Sequence, residues 1–217
     1  LSGEFYSKSR YASFYASADY FILNRYIING SFRMDGSSYF GSAKQFNPTW
    51  SAGAAWHVAE EPFMNWSRNV LDRLTLRVAT GYTGNINNGV SPQLVMSYWD
   101  QQYRRHGDEI LPMATFSGAP NPNLTWENQA LLTVGLNGRF FDRLDVNVEF
   151  YQRTTSSMLM DVPYSYTTGF SGMTTNVGSL TNTGVDITLA VDILRGRDYF
   201  LRASTTFNYN SEKITEL

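Results

Sequence analysis

The stretch LDVNVEFYQR at residues 144–153 alternates apolar and polar side chains residue by residue. Successive side chains of an extended chain point to opposite sides, so this stretch predicts a β-strand with one apolar and one polar face. The stretches RYIINGSFRMD at 25–35 and VDITLAVDI at 185–193 repeat the pattern. The charged positions on the polar sides of the three stretches are Arg25, Arg33, Asp35, Asp145, Glu149, Arg153, Asp186 and Asp192.

Five further segments fit the same period with less contrast: 11–20, 50–58, 74–82, 126–137 and 199–210. The sequence therefore predicts eight strands and no long helix. The links between the strands alternate in length: they are short at 21–24, 138–143 and 194–198, and long at 36–49, 83–125 and 154–184. Short turns at one end and long loops at the other are typical of an all-β, antiparallel, up-and-down transmembrane β-barrel.

The remaining link on the short-turn side, residues 59–73, is longer than the other three. Pro62 suits the first position of a helix, and Phe63, Trp66 and Val70 follow it at helical spacing. This link is therefore predicted to form one or two amphipathic helical turns.

The composition narrows the class of protein. Charged residues make up 17% of the chain and the formal net charge is −2, which argues against a nucleic-acid-binding protein. The chain has no cysteine, which excludes a disulfide scaffold and thiol chemistry. Its hydrophobic fraction of 42% is too high for a disordered chain. No run of about 20 apolar residues predicts a membrane-spanning helix.

The alternation alone leaves two architectures open. A soluble β-sandwich would also have strands with one apolar face. Mid-strand charges on one face and almost none on the other favour the barrel, because a wet lumen accepts charges and lipid does not. An eight-stranded sheet with two free edges in lipid would leave backbone groups unpaired, so we expect one arc of a larger barrel.

Motifs of common enzymes are absent from the sequence. The two histidines, His57 and His106, lie far apart, and no H-E-x-x-H, G-x-S-x-G or P-loop motif occurs. The sequence therefore predicts a protein that is not an enzyme, with no catalytic residue, no metal site and no cofactor.

Five motifs occur in order along the chain. They are RYIIN at 25–29 leading into RMDGSS at 33–38, AWHVAEEPF at 55–63, TGYTGN at 80–85, NPNLTWE at 121–127, and TGF, NVG and NTGVD at 168–170, 176–178 and 182–186. In this order, the chain resembles the C-terminal part of the barrel of a SusC/RagA-type TonB-dependent outer-membrane transporter of Bacteroidetes. His57, Thr125 and Asp186 stand where that family more often has a basic residue, Lys and Glu, respectively.

The resemblance implies a barrel of about 22 strands around a plug. Residues 1–217 would form part of the barrel domain, with the plug domain and the closing strand outside it. It also implies active uptake of oligosaccharides or oligopeptides across the bacterial outer membrane, with TonB and a SusD-like surface lipoprotein as partners. Two alternatives remain: a stand-alone eight-stranded outer-membrane barrel with a structural or adhesive role, and a soluble carbohydrate-binding β-sandwich.

Two sets of residues are candidates for contacts within such a transporter. The first set is predicted to face the lumen or the plug, through mutual ion pairs, plug contact or substrate contact: Arg25, Arg33, Arg77, Asp145, Glu149, Arg153, Asp186 and Arg202. The second set lies in the long link 83–125, where aromatic rings beside amide and guanidinium groups suit sugars or peptides. Its members, which could instead pack on other loops or on the lipoprotein lid, are Tyr98, Trp99, Gln102, Tyr103, Arg104 and Arg105.

Overall fold

The computed structural model describes residues 10–37, 46–85, 94–106 and 109–216. Twelve β-strands fall within these ranges. They are β1 (Tyr11–Ile22), β2 (Tyr26–Ser37), β3 (Phe46–His57), β4 (Leu71–Asn85), β5 (Val95–His106), β6 (Glu109–Gly118), β7 (Glu127–Phe140), β8 (Leu144–Ser156), β9 (Leu159–Pro163), β10 (Gly172–Asn176), β11 (Ser179–Arg195) and β12 (Phe200–Glu216).

Eight of these strands form one antiparallel sheet in the order β1-β2-β3-β4-β7-β8-β11-β12. These are the eight strands that the period-two pattern predicts, and their up-and-down order is confirmed. Several strands are longer than predicted: the segment 185–193 lies within Ser179–Arg195, and the segment 199–210 within the strand Phe200–Glu216 and its approach.

The expectation that the long links carry no strands is wrong. The link 83–125 contains the β5–β6 hairpin and the link 154–184 contains the β9–β10 hairpin, each a separate two-stranded sheet. β5 has the sequence VMSYWDQQYRRH and β9 the sequence LMDVP, and neither separates apolar from polar positions. A hairpin outside a membrane needs no continuous apolar face, so it leaves no period-two signal.

The turns at the short-link end have a defined geometry. In the β1–β2 turn the backbone N–H of Arg25 donates to the carbonyl of Ile22 at 3.0 Å, and in the β7–β8 turn Arg143 donates to Phe140 at 3.0 Å. The two central residues of each turn have positive φ. They are therefore type I′ turns, which match the twist of the flanking strands.

The β3–β4 link contains two short 3₁₀ helices, Val58–Glu60 and Pro62–Ser67. Pro62 is the first residue of the second helix, which confirms the prediction of helical turns in this link. Among the described residues, no helix is long and apolar enough to cross a membrane.

Strand register separates the two faces of the sheet, because directly paired residues lie on the same face. One row across the sheet is entirely apolar: Tyr20, Ile28, Ala54, Val78, Val134, Phe150, Val185 and Tyr209. We call the face that carries this row the apolar face. The neighbouring rows, which carry most of the charged residues of the strands, form the polar face.

No second sheet covers the apolar face in the part of the chain that the structure describes. Ile28 is 51% exposed and Leu189 is 40% exposed, and Phe32 and Val134 are also exposed. A β-sandwich would bury these side chains between two sheets, so the fold is not the soluble sandwich alternative.

The sheet has two open edges. β1 and β12 are exposed along almost their whole length, and no pairing joins one to the other among the residues described. A stand-alone eight-stranded barrel would close by pairing its first and last strands. The sheet is instead an arc, as expected for part of a larger barrel.

Candidate functional site

The polar face brings together the charged residues predicted from the alternation. Asp186 pairs with Glu149, Glu149 with Gly135, and Gly135 with Arg77, so these positions lie in one row. The register places the others on the same face: Arg33, Asp145, Arg153 and Arg202. Seven of the eight candidates therefore share one surface, which runs across the sheet from β2 to β12.

Arg25, the eighth candidate, lies at the short-turn end of the sheet. The structure places it in the β1–β2 turn, before β2 begins, and its carbonyl accepts from the backbone N–H of His57 at 2.7 Å. Its Nη1 lies 3.4 Å from the Glu61 carboxylate, which also accepts hydrogen bonds from Tyr26 and Trp56. Tyr26 and Trp56 are paired residues of the apolar face. Arg25 thus forms an ion pair with Glu61 at the short-turn end, and its contact with the lumen or the plug stays a prediction.

Glu61 is the centre of these contacts. The hydroxyl of Tyr26 donates to Glu61 Oε1 at 2.5 Å, and the indole Nε1 of Trp56 donates to the same atom at 3.0 Å. These two hydrogen bonds and the charge of Arg25 lower the pKa of Glu61, which lies outside the strands. The carboxylate holds the second 3₁₀ helix against the end of the sheet. Sequence reasoning missed this role, although Glu61 lies in the AWHVAEEPF motif.

An ion-pair network ties four strands together at the short-turn end of the polar face: β7, β8, β11 and β12. Asp192 is only 4% exposed and lies 3.2 Å from Arg202 Nη1 and 3.6 Å from Arg139 Nη2. Asp145 accepts from Arg202 at 2.9 Å and lies 3.5 Å from Arg139. Two charged partners of a buried carboxylate offset its loss of hydration. The alternation predicts Asp145, Asp192 and Arg202 on the polar face, whereas Arg139 falls in the predicted short link 138–143, where alternation assigns no face.

The middle of the polar face is a shallow bay. Arg77 and Glu149 face each other at 3.6 Å, and Arg77 Nη2 also donates to Asn137 at 3.1 Å. Around this pair the lining is made of small residues, including Gly53, Ala55 and Gly135, and the cavity measures about 230 Å³. The bay can receive a bulky side chain from a neighbouring segment while the ion pair meets its polar groups.

The long-link end is held by side-chain amides. The Nδ2 of Asn176 donates to the carbonyls of Thr125 and Ser157 at 2.8 and 2.9 Å, and its Oδ1 accepts from the N–H of Thr125 at 2.8 Å. Asn121 donates to the carbonyl of Thr174 at 2.9 Å. These contacts join the NPNLTWE segment to β10.

Glu127 completes this assembly from the start of β7. Its carboxylate accepts from the backbone N–H of Leu159 at 2.8 Å and from the side chain of Asn85 at 3.1 Å. Leu124 and Trp126, just before Glu127, are buried. Few apolar side chains are buried among the described residues of this chain. The motif residues 121–127 and 176 thus build the small core on which the long links rest.

The second candidate set lies on the β5–β6 hairpin. Tyr98 is paired with Ala114, Trp99 with Met113, and the pairing resumes at Arg104 after an irregular stretch. Gln102 and Tyr103 fall within that stretch, and Arg105 pairs with Ile110. The six candidates are therefore on one strand outside the main sheet, instead of in a structureless loop.

No group of three or more histidine, cysteine, aspartate or glutamate side chains able to hold a metal ion occurs in the described ranges. His57 Nδ1 lies 3.0 Å from the hydroxyl of Thr75 on the next strand. This histidine has a structural hydrogen bond between β3 and β4.

The fold and the two faces define this chain as part of the wall of a transmembrane β-barrel. The profile of the family described as "TonB dependent receptor-like, beta-barrel" matches residues 2–216. The chain therefore belongs to the TonB-dependent receptor β-barrel family, whose members are outer-membrane proteins.

Individual relatives agree with this assignment. TonB-dependent receptor P39 of Formosa agariphila is 30% identical over 95% of this chain and 19% of its own length. SusC of Bacteroides thetaiotaomicron is 29% identical over 97% of the chain and 21% of its own length. The solved structure of the RagAB peptide transporter matches with a TM-score of 0.83 and 34% identity, covering 96% of this chain and 22% of that one. The chain thus spans about a fifth of the length of the relatives that it matches.

Proposed function

We propose that this chain is one arc of the wall of a TonB-dependent nutrient transporter, and that residues 1–217 are part of its barrel domain. A single observation carries the proposal: one sheet has an uncovered apolar face on one side and ordered rows of charges on the other. Lipid accepts the first surface and a filled, hydrated lumen accepts the second. The plug domain and the closing strand would belong to the rest of the protein.

The polar face would line the passage and contact the plug. Most of its charges already pair with each other, as Arg77 does with Glu149 and Arg202 with Asp145 and Asp192. Paired charges present hydrogen-bonding groups without attracting a free ion strongly. This suits a surface against which a folded plug must pack and then move. Arg33 and Arg153 would extend the same surface toward the long-link end, and Asp186 would extend the row of Arg77 and Glu149 to β11.

The cargo would be an oligosaccharide or an oligopeptide, imported with energy delivered by TonB through the plug. A SusD-like surface lipoprotein would cover the extracellular end. The likeness to a structure described as a peptide transporter supports an oligopeptide cargo. The lipoprotein partner is what the resemblance of the motifs to SusC/RagA-type transporters implies. The β5–β6 hairpin would contact cargo or lid through Tyr98, Trp99, Gln102, Tyr103, Arg104 and Arg105.

Uptake by the full-length transporter tests this proposal. A strain that lacks the transporter should lose TonB-dependent uptake of one labelled class of cargo, and complementation should restore it. Replacing Tyr98, Trp99 and Tyr103 together by serine should reduce uptake or recovery of the lipoprotein with a tagged transporter. Tyr166→Ser, on the β9–β10 side, is the matched control. Unchanged uptake of both peptides and oligosaccharides in the deletion strain would contradict a role in import.

A further inference from the structure

A second cavity lies on the polar face, nearer the long-link end than the bay around Arg77. It measures about 320 Å³ and is lined by residues of β7, β8, β11 and β12, among them Tyr151, Arg153, Asn182 and Asn210. Ligand pockets measure roughly 300–1,000 Å³, so this volume can hold a short segment of a larger ligand. We call it the long-link cavity. Nothing in the wall function proposed above requires it.

Arg153 is a free charge in the long-link cavity. Its exposed side chain has no ion-pair or hydrogen-bond partner among the residues that the structure describes. Other arginines of the polar face are paired: Arg33 with Asp35, Arg77 with Glu149, and Arg139 and Arg202 with Asp145 and Asp192. Charges that pair within the wall suit a surface on which a plug packs and moves. An unpaired guanidinium suits a ligand of opposite charge that arrives and leaves.

The polar groups beside Arg153 are also unused by the wall. Asn182 is its direct cross-strand neighbour, and Asn182 Oδ1 has no hydrogen-bond partner in the described part of the chain. The side chains of Tyr151 and Asn210 make no hydrogen bond within the described ranges. The ring of Tyr151 lies over Gly184, where a Cβ would meet its Cζ and Oη. Glycine at position 184 therefore lets this ring lie close to the sheet and leaves the cavity open.

The acidic residues nearby are held away from Arg153. Glu149 and Asp186, which also line the cavity, already have partners in the wall. Glu149 is four residues from Arg153 on β8, about 13 Å along the strand, and Glu212 is two strands away, about 10 Å. Both distances exceed the Debye length of about 8 Å at physiological ionic strength. An anion in contact with Arg153 is therefore attracted by the guanidinium more strongly than it is repelled by these carboxylates.

The chemistry of the long-link cavity suits a carboxylate next to peptide groups. A guanidinium binds a carboxylate through two parallel hydrogen bonds, which makes arginine the usual residue for such recognition. The amides of Asn182 and Asn210 and the hydroxyl of Tyr151 can both donate and accept, as a peptide backbone requires. An uncharged sugar would leave the guanidinium without a counter-charge. Tyr151, Arg153 and Asn210 also lie outside the five family motifs, so the structure that the motifs maintain does not account for them.

We propose that the long-link cavity binds the C-terminal carboxylate of an oligopeptide cargo, with Arg153 as the residue that holds the two carboxylate oxygens. The proposal rests on the proposed function, because the polar face must line a passage for cargo. It deepens that function by selecting oligopeptides with a free carboxyl end from the two classes of cargo considered.

Uptake by the full-length transporter in the complemented deletion strain tests the proposal. The probe is a pool of octapeptides made of uncharged amino acids with a neutral fluorophore on the N-terminus, synthesised with either a carboxylate or a carboxamide at the C-terminus. The terminal carboxylate is then the only charge that distinguishes the two pools. The wild type should reach half-maximal uptake at a roughly 10- to 100-fold lower concentration of the carboxylate pool, because the carboxamide loses hydrogen bonds to a charged group.

Three variants test whether Arg153 causes this preference. Arg153→Gln should abolish it by weakening uptake of the carboxylate pool, while uptake of the carboxamide pool is retained. Arg153→Lys keeps the charge without the paired hydrogen bonds, so it should keep an intermediate preference. Arg33→Gln is the matched control, because it removes a positive charge from the same face but from a guanidinium that pairs with Asp35 at 2.7 Å. It should leave the ratio of the two pools at the wild-type value, and heat-modifiable gel mobility checks that each variant is folded.

The outcomes separate this inference from the proposed function. Equal uptake of the two pools by the wild type would overturn the inference, and so would a preference that Arg153→Gln leaves intact. Equal loss of both pools in Arg153→Gln and Arg153→Lys would also overturn it, because the transporter itself would then need Arg153, as in a contact with the plug. In these cases, uptake above that of the deletion strain leaves the proposed function standing. If the wild type takes up neither pool, the inference fails, and uptake of oligosaccharides decides the proposed function.

Discussion

The assignment of an apolar and a polar face to the sheet can be tested at two neighbouring residues of β7. Val134 lies on the apolar face and Thr133 on the polar face, near the middle of the strand Glu127–Phe140. Val134 pairs with Val78 and Phe150, and Thr133 pairs with Ala79 and Tyr151. Arginine introduced at each position therefore differs only in the surface that receives the charge.

The expected loss of stability depends on how deep in the bilayer the new charge lies. An arginine on the lipid face near the bilayer midplane costs about 2–4 kcal/mol. At position 133 the new guanidinium would stand by the bay that contains Glu149, and a polar surface substitution changes stability by only about 0.5 kcal/mol. We therefore expect Val134→Arg to lower the free energy of unfolding by about 2–4 kcal/mol. Thr133→Arg should leave it nearly unchanged.

The assay is urea unfolding of the full-length protein in vesicles, followed by tryptophan fluorescence and by heat-modifiable gel mobility. A loss of 2–4 kcal/mol corresponds to a change of roughly 30- to 900-fold in the unfolding equilibrium. Val134→Leu is the control for altered packing without charge. Equal losses for the two arginine variants, or a larger loss for Thr133→Arg, would refute the assignment of the faces.

Three further outcomes are expected. Glu61→Gln should lower the midpoint of thermal unfolding. The pKa of Glu61 is lowered in the folded state. The stabilisation by its carboxylate is therefore complete above the pKa of a free glutamate and is lost as pH falls through the lowered value. The wild type should lose stability in that acidic range, and the variant should lose less. Asp192→Asn should cost about 1–3 kcal/mol in urea unfolding, and exposed Asp142→Asn about 0–1 kcal/mol. Asn176→Ala should cost about 1–3 kcal/mol and increase proteolysis near residue 157.

For each of these expectations, one result would contradict the structural reason behind it. Identical pH profiles for the wild type and Glu61→Gln would show that the carboxylate does not hold the β3–β4 link. A larger effect at Asp142 than at Asp192 would place the centre of the ion-pair network elsewhere. Unchanged proteolysis of Asn176→Ala, with Ser165→Ala as the control, would mean that the amide does not fasten the long-link end.

The main sheet could be predicted from the sequence because each strand of the wall must suit two environments at once, lipid on one face and a hydrated lumen on the other. That demand places apolar and polar residues alternately, as in 144–153, and the pattern survives without any knowledge of the strand's partners. The β5–β6 and β9–β10 hairpins meet no such demand, so period-two reasoning could not find them. The composition of 83–125 predicts only a region rich in turns and aromatic residues.

The position of Arg25 shows the limit of the same reasoning. Alternation assigns a face only while the chain stays extended, and Arg25 lies in the turn before β2. Its partner Glu61 is 36 residues further on, in a link whose path the pattern does not describe. The ion pairs of Arg139 with Asp145 and Asp192 depend on register across β7, β8 and β11, which spacing in one segment does not reveal.

The motifs that identify the family share a structural role. Glu61 of AWHVAEEPF secures the short-turn end, while Asn121, Glu127 and Asn176 of the later motifs secure the long-link end. The structural role of these motifs accounts for their presence, so they carry no information about a substrate. Under the proposed function, contacts with cargo are expected on surfaces that the motifs leave free. In the described part of this chain, the β5–β6 hairpin is the element that meets this condition while concentrating aromatic and guanidinium groups on one strand.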